Sequence, residues 1–400
     1  MSELLCKINS LALFKGIRDV EPLKSMCEFL TLADDVSQAR YNVLDKYTEF
    51  VNALYDIRHD GDLSVAIWHA LRYDDNAYLQ AHIAKELAVI RGTKEVQISH
   101  ILTAGAEREL ALINEIAKTS YAELEPLLAY DDYVAQFKTT GIDIRDRYLK
   151  LVKNLASGGF GMFYDHLMFR FEDGIIVPVL YPDQVTIDDL FCYDRQRGLV
   201  VNNTRAFTEL KKSHNAADII LYGDEGTGKT STVKAAARRF EEQGVRLVEI
   251  RASEIKELPA LIEQLEQIPL RFIILIDDIS PSAAGEDIAV LKRILADRIN
   301  GTRKNILIYA TCQRRHVINE ISESDVRGEM LSLPEYFGLR VLFDKPTKQQ
   351  YLKITHSILA KNEVVVGNEE SLDKSAEQFA IKAGGRSART ARRFTDQFIT

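Results

Sequence analysis

One eleven-residue stretch constrains the fold more than any other part of this 400-residue chain: LYGDEGTGKTS, at positions 221–231. A glycine, four further residues and then Gly-Lys-Thr make the complete pattern of a phosphate-binding loop. That pattern requires a strand before the loop and a helix after it. The apolar DIILYG precedes it, and a helical pattern over 229–243 follows it. The stretch therefore predicts a parallel α/β sheet that holds a phosphate-bearing ligand.

The residue types of the loop match the chemistry of phosphate binding. Glycines let the backbone curl around phosphate oxygens, and the helix N-terminus adds free N–H groups. Lys229 is expected to reach the β- and γ-phosphates, and the Thr230 hydroxyl to ligate Mg²⁺. The residues predicted to contact the nucleotide are Gly223, Asp224, Glu225, Gly226, Thr227, Gly228, Lys229, Thr230 and Ser231.

An acidic metal partner is expected at the end of another strand, and RFIILIDDIS at 271–280 supplies it. Asp277 is placed to hold Mg²⁺ through water, together with Thr230. Asp278 is placed to orient or deprotonate an attacking water. Two adjacent acids also end strands and cap turns without any such role. The position of this pair, about 47 residues beyond the phosphate loop, favours the metal-binding interpretation.

A polar residue at the tip of the strand in NILIYATCQRRH, 305–316, is expected to contact the γ-phosphate or the water. Gln313 is the first candidate and Thr311 the second. The following Arg314 and Arg315 face either a neighbouring subunit or solvent.

Arginines recur about every three residues in AGGRSARTARRF, 383–394. Arg386, Arg389 and either Arg392 or Arg393 would share one helical face. In an acidic protein such a stripe of arginines indicates that the helix face binds an anion. Nucleotide phosphate, an acidic neighbour and nucleic acid all stay open as that anion.

Amphipathic helical patterns run through residues 1–158 and predict a separate, all-helical N-terminal domain. In DLSVAIWHALRY, 62–73, the single tryptophan, Trp68, lies on the apolar face, and Asp62 or Asp60 is available as the helix cap. Packing in the core is the interpretation favoured for Trp68. Nothing in this domain identifies a chemistry.

The remaining chain divides into three parts. Residues 159–189 are rich in aromatic and β-branched residues around Asp173-Gly174, which predicts a β-hairpin and linker. Strands and helices alternate over 190–345, the expected α/β core. Only helical patterns follow, over 346–400.

Composition narrows the functional classes. The net charge of −8 and the pI near 5.6 disfavour a large basic surface for nucleic acid, although a local basic patch is compatible with them. The four cysteines are widely scattered, as is typical of reduced thiols. The N-terminus lacks a secretory apolar run, and the longest apolar runs are far short of the ~20 residues that span a bilayer. A cytoplasmic protein with no membrane segment is expected.

Taken in order, the phosphate loop, acidic strand, polar-tipped strand and arginine stripe resemble an AAA+ ATPase. More narrowly, LFCYDRQRGLVVNNTRAF at 190–207, YFGLRVLF at 336–343 and the stretches above resemble a bacterial family of predicted AAA+ ATPases known only as a domain of unknown function, over about 190–400. The resemblance implies a parallel sheet of order 5-1-4-3-2, a C-terminal helical lid, ATP and Mg²⁺ between them, and a homo-oligomer, as a ring or head to tail. It also implies that adenine is gripped near Tyr193 to Asn203. Arg389 corresponds best to the lid's sensor arginine, with Arg386 next.

Three positions depart from the family pattern. Asp278 stands where most AAA+ enzymes have glutamate, and Gln313 where asparagine is expected. Tyr336 stands where the narrower family has the arginine that would reach a neighbour's nucleotide. Arginines that would substitute for it are Arg314, Arg315, Arg327 and Arg340. By the resemblance, the residues predicted to act in hydrolysis are Asp278, Gln313 and Arg389.

The leading hypothesis is Mg²⁺-dependent ATP hydrolysis, slow because of these departures, coupled to movement of the lid. A non-hydrolysing ATP-dependent switch or scaffold is the alternative, and a nucleic-acid remodeller or helicase loader is the third. A small-molecule kinase is disfavoured by the polar-tipped strand and the lid. Residues 1–158 are expected to bind a protein partner whose identity the sequence does not give.

Overall fold

Helix-forming patterns occupy the first part of the chain and strand-forming patterns the second, and the computed structural model follows this division. It describes residues 3–35, 37–209, 216–279, 285–297, 303–313 and 333–399. The chain separates into two units, Met1–Asp165 and His166–Thr400.

The N-terminal unit is built from helices, as the amphipathic patterns predict. In chain order they are α1 Glu3–Asn9, α2 Leu23–Ala33, α3 Arg40–Leu54, α4 Leu63–Tyr73, α5 Ala77–Arg91, α6 His100–Ile116, α7 Tyr121–Leu128, α8 Ile144–Lys153, α9 Leu155–Gly158 and α10 Met162–Asp165. The cap of α4 is Asp62, whose side chain accepts a hydrogen bond from the Val65 N–H at 3.1 Å. Asp60, the other candidate, instead pairs with Lys138.

Apolar side chains from these helices form one core. Its large, fully buried members are Phe14, Phe29, Tyr47, Phe50 and Tyr148. Trp68 is only 4% exposed, so the prediction that it packs in the core is confirmed. The Arg147 guanidinium lies 4.7 Å from the centre of its ring, close enough for a cation–π contact.

The second unit is organised around a seven-stranded sheet of order β2-β1-β4-β5-β6-β3-β7. Its strands are β1 Met168–Glu172, β2 Ile175–Pro178, β3 Ile219–Gly223, β4 Val245–Arg251, β5 Arg271–Ile279, β6 Ile306–Gln313 and β7 Leu339–Phe343. The strands from β3 to β7 are parallel and, counted from the one before the phosphate loop, lie in the order 5-1-4-3-2. The carboxyl ends of β3, β5 and β6 therefore meet at one edge of the sheet.

The hairpin expected in the linker is present, and its turn residues Asp173 and Gly174 both have positive φ, as a two-residue hairpin turn requires. It is not a linker, however. Strand β1 pairs in parallel with β4, Met168 opposite Leu247, so the hairpin extends the core sheet. The backbone N–H and C=O groups along that side of β4 gain partners by this pairing, which no local pattern in the sequence reveals.

Helices cover the sheet because its central strands are apolar on both faces: every residue from Arg271 to Ile276 is buried. These helices are α11 Asp194–Thr208, α12 Lys229–Arg239, α13 Leu258–Glu266 and α14 Gly285–Asp297. The short helix expected from residue 315 lies outside the described residues.

Three helices complete the chain: α15 Lys348–Lys361, α16 Glu369–Lys382 and α17 Ala388–Thr395. They share a small core that includes Tyr351, Ile354, Ala376 and Phe394. We refer to residues 346–399 as the lid. Among the described residues, no helix combines the length and apolar character needed to cross a bilayer.

Candidate nucleotide-binding site

The phosphate loop joins β3 to α12, and its glycines adopt conformations that other residues rarely take. Gly223, Gly226 and Gly228 have φ of 143°, 73° and 93°. A Cβ on Gly223 would lie 2.0 Å from the Phe343 carbonyl oxygen, so strand β7 leaves room only for glycine. The loop and the first turn of α12 thus present backbone N–H groups of the kind that bind phosphate.

Lys229 is buried beneath the loop, only 9% exposed. Its Nζ donates hydrogen bonds to the carbonyl oxygens of Gly223, at 3.1 Å, and Asp224, at 2.8 Å. Burial lowers the pKa of Lys229, and the nearby Asp278 and Asp277 carboxylates oppose that shift. These two hydrogen bonds hold the Lys229 side chain against the loop backbone, and its contact with the β- and γ-phosphates stays a prediction.

The acidic strand meets the loop through hydroxyl groups. Asp277 Oδ1 accepts hydrogen bonds from Thr230 Oγ1 and Thr311 Oγ1, each at 2.6 Å. Thr230 and Asp277, the two predicted metal ligands, are thus in direct contact. Their oxygens are the type of ligand that Mg²⁺ prefers.

Asp278 points elsewhere because β5 is irregular at this position. The pairing with β6 shifts register between Ile276 and Ile279, and Asp278 has φ of 52°. Its N–H donates to Thr311 Oγ1 at 2.9 Å, and its carboxylate accepts a hydrogen bond from Gln313 Nε2 at 3.3 Å. A bulge of this kind re-aims side chains, so adjacent acids take different positions.

Thr311, the second candidate for a phosphate contact, lines the cavity and bonds the acidic pair. It is 2% exposed, and its hydroxyl bridges the Asp277 carboxylate and the Asp278 N–H. Its hydroxyl thus holds the acidic pair in place. Gln313, the first candidate, is at the rim with its amide on Asp278.

The lid reaches the loop through the start of α17. The Arg389 N–H donates to the Gly226 carbonyl at 3.1 Å, and Arg389 Nη1 lies 2.6 Å from Glu225 Oε1. Arg386 instead forms two hydrogen bonds with Glu377 inside the lid. Of the two candidate sensor arginines, Arg389 is therefore the one at the loop. Arg392 also lines the cavity there.

Core and lid enclose a cavity of about 360 Å³, within the range of small-ligand pockets. Its polar end is formed by the loop from Glu225 to Thr232, with Asp277, Asp278, Thr311, Gln313 and Arg389. The rest of its lining, which we call the base end, contains the apolar side chains Val185, Leu190, Phe191, Cys192, Tyr193, Phe343, Ile354, Ile358 and Ala388 together with Asp183, Asp189, Arg197 and Arg392. This lining suits a ligand that carries both phosphates and a planar base.

The base end bears on the expectation that adenine is gripped near Tyr193 to Asn203. Between Tyr193 and Asn203, the cavity is lined by Tyr193 and Arg197. The Asn203 side chain instead forms hydrogen bonds with the backbone N–H and carbonyl of Ala217 and with the Tyr309 hydroxyl. Residues 183–193 supply seven lining residues, and three of them, Asp183, Val185 and Asp189, lie in the stretch that the sequence assigned to the hairpin and linker. The other four are LFCY at 190–193, the start of the stretch that resembles the narrower family.

Comparison with protein families assigns the second unit. A family model described as "Protein of unknown function (DUF815)" matches residues 164–400, more than half of the chain. The chain belongs to this family. The match starts before the hairpin, whereas the resemblance was placed from residue 190, so the DUF815 region includes the whole seven-stranded sheet. No curated protein matches the chain significantly.

Solved structures similar to this DUF815 protein include C. elegans PCH-2, with 18% identity and a TM-score of 0.35. That match covers 52% of this chain and 62% of PCH-2, less than two thirds of its length. The Thermotoga maritima RuvB Holliday junction branch migration motor is similar with 13% identity and a TM-score of 0.33, covering 53% of this chain and 72% of that one.

Three of the four arginines expected to substitute for the arginine absent at Tyr336 lie outside the described residues of this DUF815 protein. Arg314, Arg315 and Arg327 lie outside the described residues, and Arg340 is exposed on β7. Tyr336 is 45% exposed, and the Lys292 ammonium lies 5.7 Å from the centre of its ring. A cation is thus present beside the position where the family pattern has arginine.

Proposed function

We propose that this protein is an AAA+ type ATPase that binds ATP with Mg²⁺ between core and lid and hydrolyses it slowly. The observation that carries the proposal is the 2.6 Å contact between Thr230 Oγ1 and Asp277 Oδ1. It joins a phosphate loop to an acidic strand in the lining of a cavity whose volume is within the range of small-ligand pockets.

The residues present fit both ligands. Lys229 and the loop N–H groups would bind the β- and γ-phosphates, and the apolar end of the cavity would take the base. Thr230 and Asp277 would hold Mg²⁺, which when bound neutralises charge on the phosphates. With water and phosphate oxygens completing the ligand set, two protein oxygens are enough, as is common for Mg²⁺.

For hydrolysis, Asp278 is the base. Its carboxylate would take a proton from water as the water oxygen bonds to the γ-phosphorus and the bond to the ADP oxygen breaks. Gln313, whose side-chain amide already donates a hydrogen bond to the Asp278 carboxylate, would orient that carboxylate and the attacking water. Arg389 would leave Glu225 and contact a phosphate oxygen instead. This change of partner would move the lid toward the nucleotide.

Slow turnover is expected because position 336 is occupied by tyrosine. An arginine supplied to the transferring phosphate contributes about 10³ to 10⁵ in rate in related sites, and tyrosine carries no positive charge. The same residue favours the second candidate, a nucleotide-dependent switch that does not hydrolyse ATP. Assembly of copies head to tail and binding of a protein by the N-terminal unit complete the proposal.

Phosphate release and light scattering, measured together with and without Mg-ATP, test it. We expect slow phosphate release that is absent in Lys229→Ala, which controls for contaminating ATPases. Nucleotide binding without Lys229-dependent release would favour the switch. Failure of the wild-type protein to bind ATP in calorimetry would refute the site, and a salt-dependent shift on adding DNA would favour the nucleic-acid alternative.

A further inference from the structure

A single peptide group between core and lid is held at both of its polar atoms by side chains. Strand β7 ends at Phe343, and α15 begins at Lys348. Between them, the Asp344 carbonyl oxygen accepts a hydrogen bond from the Tyr193 hydroxyl at 2.6 Å. The Lys345 N–H of the same peptide donates to Asp224 Oδ2 at 2.9 Å.

Of the two side chains that hold this peptide, one lines the cavity and the other belongs to the phosphate loop. Tyr193 lines the base end, where its ring lies 5.3 Å from that of Phe343. Asp224 is the second residue of the phosphate loop, and its own N–H donates to the Phe343 carbonyl at 3.1 Å. The peptide that connects core and lid therefore contacts both the base-binding and the phosphate-binding elements.

The connection continues into the lid. A Cβ built on Gly385 would lie 2.4 Å from Lys345 Nζ, so the Lys345 side chain packs against the turn that precedes α17. That helix carries Arg389. A rotation of the Asp344–Lys345 peptide would thus move both ends of the lid, the start of α15 and the start of α17.

We propose that Tyr193 and Asp224 are positioning residues that couple occupancy of the cavity to the angle of the lid through the Asp344–Lys345 peptide. This inference rests on the proposed function, because it requires a nucleotide that touches both ends of the cavity. Phosphates that draw the loop inward shift Asp224, and a base that packs on Tyr193 shifts its hydroxyl. Both shifts act on one peptide plane, so the lid responds to the whole nucleotide more than to phosphate alone.

The test compares Asp224→Ala/Tyr193→Phe with the wild-type full-length chain, by hydrogen–deuterium exchange of residues 344–361 and 386–399 and by calorimetry. Each sample is measured with and without Mg²⁺ and a slowly hydrolysed ATP analogue. In the wild type we expect the analogue to slow exchange in both segments. In the double variant at saturating analogue we expect this protection to be lost, with Kd raised by about 5- to 150-fold, the usual size of a coupling between sites.

Matched controls separate coupling from simple damage. Tyr181→Phe removes a hydroxyl from a tyrosine that is 93% exposed and should behave as the wild type. Asp224→Asn is the conservative variant: it keeps an oxygen that accepts the Lys345 N–H, so it should retain more of the lid protection than Asp224→Ala does. If the double variant fails to fold, Tyr193→Phe alone is read in the same way, since it keeps the ring on Phe343.

Two outcomes would overturn the inference. One is full lid protection in the double variant with Kd within about twofold of the wild type; the other is equal protection by inorganic triphosphate and by the ATP analogue. Failure of the proposed function looks different, because the wild-type protein itself would then bind no nucleotide.

Discussion

Arg389 Nη1 of the lid lies 2.6 Å from Glu225 Oε1 of the phosphate loop. Both side chains are largely exposed, 62% and 66%. The arginine predicted to contact phosphate is therefore paired with a carboxylate of the loop, and nucleotide phosphate would have to replace that carboxylate.

We predict that Glu225→Gln strengthens ATP binding, because it frees Arg389 and removes a negative charge beside the phosphates. Exposed ion pairs contribute about 0.2–1 kcal/mol, so Kd should fall by at most about fivefold. Calorimetry at low and high salt measures it, and the gain should shrink as salt screens the pair. Glu242→Gln, an exposed glutamate beyond α12, is the matched control. Weaker binding by Glu225→Gln would show that its carboxylate supports the site.

Lys229→Ala should abolish tight ATP binding, because it removes the only buried ammonium group described in the loop. Charge-assisted hydrogen bonds contribute about 1.5–3 kcal/mol, so we expect Kd to rise by at least about 10- to 100-fold. Lys234→Ala, in the same helix and paired with Glu249 at 3.2 Å, should bind as the wild type does. Unchanged affinity of Lys229→Ala in calorimetry would contradict the site assignment.

The two adjacent aspartates should fail in different ways. Asp277→Ala should remove the Mg²⁺ dependence of ATP binding, because Asp277 is the carboxylate in contact with Thr230. Asp278→Asn should keep binding and slow turnover by about 10² to 10⁴. Asparagine tolerates the positive φ of position 278, so this variant tests the carboxylate without straining the backbone. Wild-type turnover by Asp278→Asn would place the base elsewhere.

Tyr336→Arg should raise turnover if copies assemble head to tail, because it restores a cation at the position where the family has one. The gain has an upper limit of about 10³ to 10⁵ and should grow with protein concentration. Tyr336→Phe keeps the ring beside Lys292 without adding charge and is the control. No gain, combined with fast wild-type turnover that rises with concentration, would show that another cation already serves, Lys292 being the nearest described candidate.

Acid should destabilise the N-terminal unit. Burial lowers the pKa of His69, and Arg72, Arg58 and His59 lower it further, against an opposing effect of Asp165. A histidine whose pKa is lower in the folded state binds its proton more readily when unfolded. The stability it contributes is thus present above about pH 6.5 and is lost as pH falls through the folded pKa.

The single tryptophan makes this measurable. Trp68 lies in α4, so its fluorescence reports unfolding of the N-terminal unit within the full chain. We expect the urea midpoint to fall between about pH 7 and pH 5.5, and His69→Gln to reduce that dependence. His100→Gln, at an exposed position, should leave it unchanged. A midpoint that rises on acidification would contradict the prediction.

Local patterns predicted the elements well because they depend on neighbouring residues. The Asp62 cap, the Asp173-Gly174 turn and the lid helices follow from capping chemistry, positive φ and helical spacing. The phosphate loop was predicted from eight positions for the same reason. The expectation that Asp277 lies beside this loop rests on the meeting of strand ends at one edge of a parallel sheet. The contact between Asp277 and Thr230 agrees with that expectation.

Features that depend on distant parts of the chain were missed. The pairing of β1 with β4 joins residues 79 positions apart, such as Met168 and Leu247, and no local pattern distinguishes it from a free hairpin. Sequence also does not show that the hydroxyl of Thr311, the second candidate for a phosphate contact after Gln313, bonds the Asp277 carboxylate and the Asp278 N–H at the bulge in β5. The one available signal was Asp278, since aspartate is among the residues that tolerate positive φ.

The pairing of β1 with β4 also affects how the chain behaves when concentrated. An unpaired edge strand offers its backbone groups to strands of other molecules, which is a route to aggregation. Here β4 is covered, and the new edge, β2, has only four residues and ends at Pro178, whose nitrogen carries no hydrogen. Addition of a strand from another molecule at this side of the sheet is therefore disfavoured.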